Sequence, residues 1–277
     1  MKVTFLGGGN MASALIGGLL GKEACGDLRA DDIAVVEINA AARDAVQQRF
    51  GVHCHAVPEG EALACDALVL AVKPQQMREV CALLKGRVRE RLIISIAAGL
   101  HLADISDWLG GYRHLVRAMP NMAAAASESM TALAAGRSAT REDLEDVRRL
   151  MSAVGRTVTM AEKNFSAFVG LAGSSPAFVL TFIEALARAG VMDGIPKAQA
   201  VEIVTQAVLG SARIVQVEET RRADGAAGRT PADLIDAVCS PGGTTVAGVV
   251  AMERSGFSSA VIDAFEATVA RDRELGA

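Results

Sequence analysis

The sequence predicts an α/β chain in two parts, a doubly wound parallel sheet followed by a wholly helical domain. Three observations carry that expectation. Short apolar runs alternate with amphipathic ones up to about residue 160. A glycine-rich turn joins the first apolar run to the first helix. Beyond Pro176 the strand pattern stops. With 277 residues, 51% of them hydrophobic and 22% charged, the chain is long enough to bury a large core, and two domains are expected. Their boundary is placed between residues 163 and 164.

In chain order, strands are expected at residues 2–6, 32–37, 67–72, 92–96 and 114–117, with helices at 11–20, 40–50 and 77–84 between them. The runs ALVLAV and LIISI have almost no polar residue, as befits parallel strands covered by helices on both faces. A strand at 130–134, a helix at 141–153 and a strand at 156–159 extend the sheet. The second half reads as helices at 178–189, 197–217, 231–238, 245–254 and 258–275. Its first two helices are apolar around much of their circumference, more than a small monomeric domain buries, so this half is expected to form a homodimer. The polar stretch EETRRADGAAG, residues 218–228, is expected to be a solvated loop or frayed helix end.

Composition excludes several classes. A formal net charge of −4 offers nothing to a nucleic acid. The apolar N-terminus is split by glycines and Asn10, so it reads as strand–turn–helix rather than as a secretory leader. Mean hydropathy is high at +0.30, yet charges or glycines are expected to interrupt every apolar run before it reaches membrane-spanning length. The apolar excess is therefore assigned to a subunit interface, and no membrane is expected. Cys25, Cys54, Cys65, Cys81 and Cys239 are odd in number and irregularly spaced, which points to a reducing, cytoplasmic setting without disulfides. His53-Cys54-His55 resembles a ligand cluster, but neighbours in a strand face opposite ways. A loop or a sheet edge is expected there, and no metal.

Five motifs carry chemistry. Gly7, Gly9 and Ala12 follow the first strand in the G-x-G-x-x-A spacing. Gly7 permits a tight turn, Gly9 lets backbone approach a pyrophosphate, and Ala12 lets the helix begun by Asn10 and Met11 pack on the sheet. In AVKPQ, Val72, Lys73 and Pro74 follow the third strand, where Lys73 places a cation beside a bound dinucleotide. In RAMPN, Met119, Pro120 and Asn121 either wall a nicotinamide or simply end a strand. LAGSSPAF is expected to start a helix at Pro176, with free amides suited to an anion; capping by Ser174 or Ser175 explains it nearly as well. CSPGGTTVAGV places two glycines between Ser-Pro and Thr-Thr, a costly sequence for a plain turn, and a ligand-binding helix start is expected.

With these motifs in order, the chain resembles the pyrroline-5-carboxylate reductases over essentially its whole length. FLGGGNMA, AVKPQ, MPN, the GSSPAF segment, SPGGTTVAG and the ending RDRELG all stand where that family has them. The resemblance implies a Rossmann-like N-terminal domain and a helical domain that dimerises by interlocking. In some members five dimers form a ring, so a decamer is possible. It implies hydride transfer from NAD(P)H to the C=N bond of a cyclic imino acid, the last step of proline biosynthesis. The imine nitrogen is basic enough to protonate readily, so no acid–base triad is needed, and the four His residues are read as structural. The second Thr of SPGGTT, Thr245, is implied to meet the ring nitrogen. The amides of Gly243 and Thr244, with Ser240, are candidates for the carboxylate; the alternative for Thr245 is a helix N-cap. This chain departs from the family pattern at Ala123, Ser166, Val169, Ser175 and Phe178. Those changes leave open a different cyclic imine or a weakly active regulatory paralogue.

Cofactor choice is read from Glu37, with Asn39 behind it. A carboxylate there accepts from both ribose hydroxyls of NAD and repels the 2′-phosphate of NADP. The nearest offsetting cation, Arg43, stands a turn or more into the next helix and keeps NADPH possible; NADH is favoured. Hydroxyacid dehydrogenases of related layout need a Lys and an Asn one helical turn apart after a glycine motif. Here Lys163 and Asn164 are adjacent and precede it, which argues against that chemistry.

Overall fold

A computed structural model describes residues 1–21, 28–88 and 90–275. The chain opens with β1 (Val3–Leu6), α1 (Asn10–Leu19), β2 (Ile33–Val36), α2 (Ala40–Phe50), β3 (His53–His55), β4 (Ala67–Leu70), α3 (Pro74–Leu84), β5 (Leu92–Ser95), α4 (Leu102–Trp108), β6 (Leu115–Met119), β7 (Ser129–Ala135), α5 (Arg141–Ser152) and β8 (Gly155–Thr159). The eight strands form one sheet in the order β3-β2-β1-β4-β5-β6-β7-β8, all parallel except for the antiparallel β6–β7 pair. The strand order reverses direction at β1, between β2 and β4. That makes a crevice at their C-terminal ends.

Alternation along each strand divides the core. Ala67 and Val69 of β4 join Val3, Phe5, Ile94 and the apolar face of α1 on one side. Leu68 and Leu70 join Leu6, Ile93 and residues of α3 and α4 on the other. Burial of each such Leu or Ile contributes about 1.5–3 kcal/mol, so the register Val3↔Ala67 to Leu6↔Leu70 is strongly fixed. The helices start where the sequence supplies caps. Asn39 accepts from the Ala42 amide, Pro74 occupies the first turn of α3, and Thr140 and Asp143 form a capping box on α5. As expected, His53–His55 is a strand at the sheet edge. Cys54, Cys65, Cys81 and Cys239 are free thiols; Cys25 lies outside the described residues.

The remainder is helical: α6 (Phe165–Phe168), a π turn (Val169–Gly173), α7 (Ser175–Met192), α8 (Lys197–Ala223), α9 (Pro231–Val238), α10 (Thr244–Arg254) and α11 (Phe257–Leu275). The chain packs as two compact units, Met1–Ser174 with Thr268–Ala277, and Ser175–Ala267.

Three expectations need correction. α7 has Pro176 in its first turn, but it continues a backbone already helical from Phe165, and the Ser174 amide reaches five residues back to the Val169 carbonyl at 2.8 Å. The π turn lets a proline follow without breaking the path, so LAGSSPAF presents no free helix start. Residues 218–228 are not simply a solvated loop, since α8 runs to Ala223 and Glu218 is buried. Finally, Glu162–Met192 and Lys197–Ala223 are long and apolar enough, by length and composition, to cross a membrane. Val179, Leu180, Leu186, Ile203, Leu209 and Ile214 leave an apolar surface exposed along α7 and α8.

Candidate functional site

At the crevice, the geometry of the glycine turn follows from its residues. Gly7 has φ +107°, and a Cβ there would lie 2.7 Å from the Ala71 carbonyl oxygen; no other residue fits. Its amide donates to the Val36 carbonyl at 2.8 Å, which ties the turn to β2. Gly9 is the N-cap of α1 and has nothing within 4 Å of where a Cβ would stand. No side chain caps α1, and its first turn holds no acid. The amides of Asn10, Met11 and Ala12 therefore open a positive helix end into free space. Ala12 is buried against the sheet. The cradle fits a pyrophosphate.

Glu37 stands beside it at the end of β2. Its Oε2 accepts from the Gly8 amide at 3.0 Å and its Oε1 from the Asn39 amide at 2.9 Å. The carboxylate thus braces the glycine turn and the start of α2 together. Arg43 is nearer than its position in the chain implies, because its Nη1 donates to the Glu37 carbonyl at 2.9 Å. This reach-back brings the cation that keeps NADPH possible to the end of β2. Ile38, between Glu37 and Asn39, is 84% exposed. Sequence reading passed over it; an isolated Ile at a polar turn was the available signal.

Beyond β4, the Val72 Cγ1 would meet a Gly7 Cβ at 3.2 Å, so Val72 lies directly against the turn. Lys73 caps α3 through its backbone and is exposed, ahead of Pro74. The end of β6 lies at the same edge of the sheet. Met119, Pro120 and Asn121 are buried there, and both ends of the Asn121 side-chain amide are engaged. Its Oδ1 accepts from the Ala123 amide at 3.1 Å and its Nδ2 donates to the Ala172 carbonyl at 2.8 Å. The Asn121 amide donates to the Ser129 hydroxyl at 3.1 Å.

Ser240, Gly243, Thr244 and Thr245 belong to the other unit. The N-cap of α10 is Gly243, and Thr245 is the second helical residue, so Thr245 is not a cap. The Gly243 amide donates to the Ser240 carbonyl at 3.0 Å, which removes it from the pair of amides expected to hold a carboxylate. A Cβ on Gly243 would collide with the Ser240 hydroxyl, so another residue there would push that hydroxyl out of its place. The amides of Thr244, Thr245 and Val246 have no side-chain cap, and Ser240, Thr244 and Thr245 are exposed. An uncapped helix start flanked by hydroxyls can bind a carboxylate and donate or accept one further hydrogen bond. Among the described residues, no three His, Cys, Asp or Glu side chains could hold a metal ion.

Comparison with known proteins gives these features a family. Residues 162–275 match the model described as pyrroline-5-carboxylate reductase dimerisation, and residues 2–99 match one described as NADP oxidoreductase, coenzyme F420-dependent. The pyrroline-5-carboxylate reductase of Synechocystis is 37% identical over 276 residues, covering 100% of this chain and 98% of the relative. A solved structure of the Coxiella burnetii pyrroline-5-carboxylate reductase superposes with a TM-score of 0.88 at 32% identity, covering 100% of this chain and 98% of that one. The Plasmodium falciparum pyrroline carboxylate reductase, solved with NADP bound, gives 0.86 at 25% identity over 100% and 98% of the two chains. The apolar faces of α7 and α8 thus fall in a dimerisation domain. The chain belongs to the pyrroline-5-carboxylate reductase family.

Proposed function

We propose that this chain reduces 1-pyrroline-5-carboxylate to L-proline with NAD(P)H, as a homodimer in the cytoplasm. The observation that carries the reading is the α10 start: free amides at Thr244 to Val246, exposed hydroxyls at Ser240, Thr244 and Thr245, and no cap. It accompanies a glycine turn open to a dinucleotide. A reduced nicotinamide bound there supplies the hydride. The Thr244 amide and the Ser240 hydroxyl hold the substrate carboxylate, and the Thr245 hydroxyl meets the ring nitrogen. Holding the imine carbon at reacting distance is the main task, because the protonated C=N group is already electrophilic.

Around the cofactor, Asn10, Met11 and the α1 amides take the pyrophosphate, Val72, Lys73 and Pro74 flank it, and Met119, Pro120 and Asn121 wall the nicotinamide. Asn121 braces that wall through the bonds of its side-chain amide. Ile38 offers the adenine an apolar face. Glu37 favours NADH, since its oxygens keep lone pairs for the ribose hydroxyls, while Arg43 at 2.9 Å from the Glu37 carbonyl leaves NADPH usable. Residues 1–163 serve the dinucleotide and residues 164–277 the imino acid and the partner subunit; assembly into decamers is compatible with this arrangement. Oxidation of NADH and NADPH with the five-membered and six-membered cyclic imino acids tests the reading. Turnover of the five-membered ring is expected, and no turnover of either ring overturns it.

A further inference from the structure

Glu218 is the one buried carboxylate among the described residues, 2% exposed near the C-terminal end of α8. Every bond it makes reaches toward the chain that follows. Its Oε2 accepts from the Arg229 amide at 3.0 Å, and its Oε1 accepts from Arg229 Nε at 3.1 Å and Nη2 at 3.0 Å. Arg221 Nη1 adds a longer contact at 3.4 Å. Charge-assisted bonds of this kind are about twice as strong as neutral ones and fix orientation as well as distance. Gly228 belongs to the same device, for a Cβ there would collide with the Glu218 carbonyl oxygen. The loop can therefore lie directly on α8.

Thr230 follows immediately. Its hydroxyl and the Asp233 carboxylate cap α9, with Pro231 in the first turn. The eight residues of α9 include no buried one, so side-chain packing within the chain does not set its place. Its two ends do. The far end is Cys239, and Ser240 comes next. A helix of this length is a rigid strut about 12 Å long, joining the Glu218 clamp to the Ser240–Thr245 turn.

We propose that Glu218 and Arg229 are positioning residues for the reductase reaction: they fix the start of α9, and through it the placement of Ser240, Thr244 and Thr245. This rests on the function proposed above. The pair touches neither substrate nor cofactor. Its effect on turnover is large because a shift of about 1 Å at a reacting group can cost on the order of 100-fold.

The test compares wild type with Glu218→Gln, which keeps the shape and removes the charge, and with Arg229→Lys, which keeps the charge and removes the fork. For each, KM and kcat for 1-pyrroline-5-carboxylate, nucleotide Kd by fluorescence and hydrogen exchange of the 231–246 peptide are measured. Expected are a kcat/KM lowered on the order of 100-fold with KM raised about tenfold, a nucleotide Kd within twofold of wild type, and faster exchange confined to that peptide. A variant that merely folds less well lowers kcat and nucleotide-binding capacity together at unchanged KM. That pattern, or wild-type kinetics with wild-type exchange, overturns the proposal. If Glu218→Gln is insoluble, Arg229→Lys decides by the same criteria. Wild type without activity on the imino acid counts against the proposed function, and the exchange measurement then decides the clamp alone.

Discussion

The side-chain amide of Asn121 donates to the Ala172 carbonyl at 2.8 Å, across 51 residues of chain. The proline four residues after Ala172 explains why that carbonyl needs an outside donor. Pro176 has no N–H to return to it, and an unpaired carbonyl in a half-buried turn costs about 1–3 kcal/mol. The Asn of MPN and the Pro of GSSPAF are thus two parts of one hydrogen-bond solution.

Asn121→Ala should accordingly destabilise the protein by about 1–3 kcal/mol, measured by denaturant unfolding. Pro176→Ala returns an N–H, so the double variant should lose clearly less than the sum of the single ones. Strict additivity would separate the two residues.

Thr245→Ala should lower kcat at least ~10-fold, about 1.4 kcal/mol of transition-state stabilisation, with a nearly unchanged Tm. Thr245 is exposed and lies inside α10 rather than at its cap. Near-normal turnover with a large loss of stability would assign it a structural role.

Wild type should show a higher kcat/KM with NADH than with NADPH, and Glu37→Ser should move the ratio towards NADPH about tenfold or more. A hydrogen bond to a charged group contributes roughly 1.5–3 kcal/mol. Because Glu37 also braces the Gly8 and Asn39 amides, the variant should bind both cofactors more weakly. Arg43→Ala should weaken NADPH selectively. An unchanged ratio in Glu37→Ser removes Glu37 from cofactor choice.

Acid stability should depend on Asp143. Burial opposes its ionisation, but hydrogen bonds from the Thr140 amide and hydroxyl and from His114, at 2.9 Å, outweigh it and hold the carboxyl below its ordinary value of 3.8. A depressed carboxyl contributes stability above its unfolded pKa and loses it as pH falls through the folded one. Asp143→Asn should therefore lower Tm at neutral pH, with a gap to wild type that closes below about pH 4. A gap independent of pH would exclude the carboxylate as its cause.

The first half of the fold was legible because parallel strands covered on both faces must be apolar throughout, as in ALVL and LIIS. Gly7 and Gly243 were legible too, since each stands where a Cβ would strike backbone or side chain. The misreadings share a cause in distant partners. Pro176 signals a helix start by local rules, and the π turn before it together with the Asn121 bond to the Ala172 carbonyl accommodates it inside a helical path. Glu218 reads as part of a polar tail until Arg229 folds back on it. Arg43 could be weighed as a cation for NADPH from the sequence, but its reach back to the Glu37 carbonyl depends on where a long side chain ends, which position in the chain does not show.

The most direct measurement follows the hydride. Reduction of 1-pyrroline-5-carboxylate with nicotinamide cofactor dideuterated at C4 should yield L-proline one mass unit heavier, with the deuterium on Cδ, the former imine carbon. Loss of that product in Thr245→Ala, with nucleotide binding intact, should accompany it. Proline without deuterium, or no proline formed at all, would contradict imine reduction by this chain.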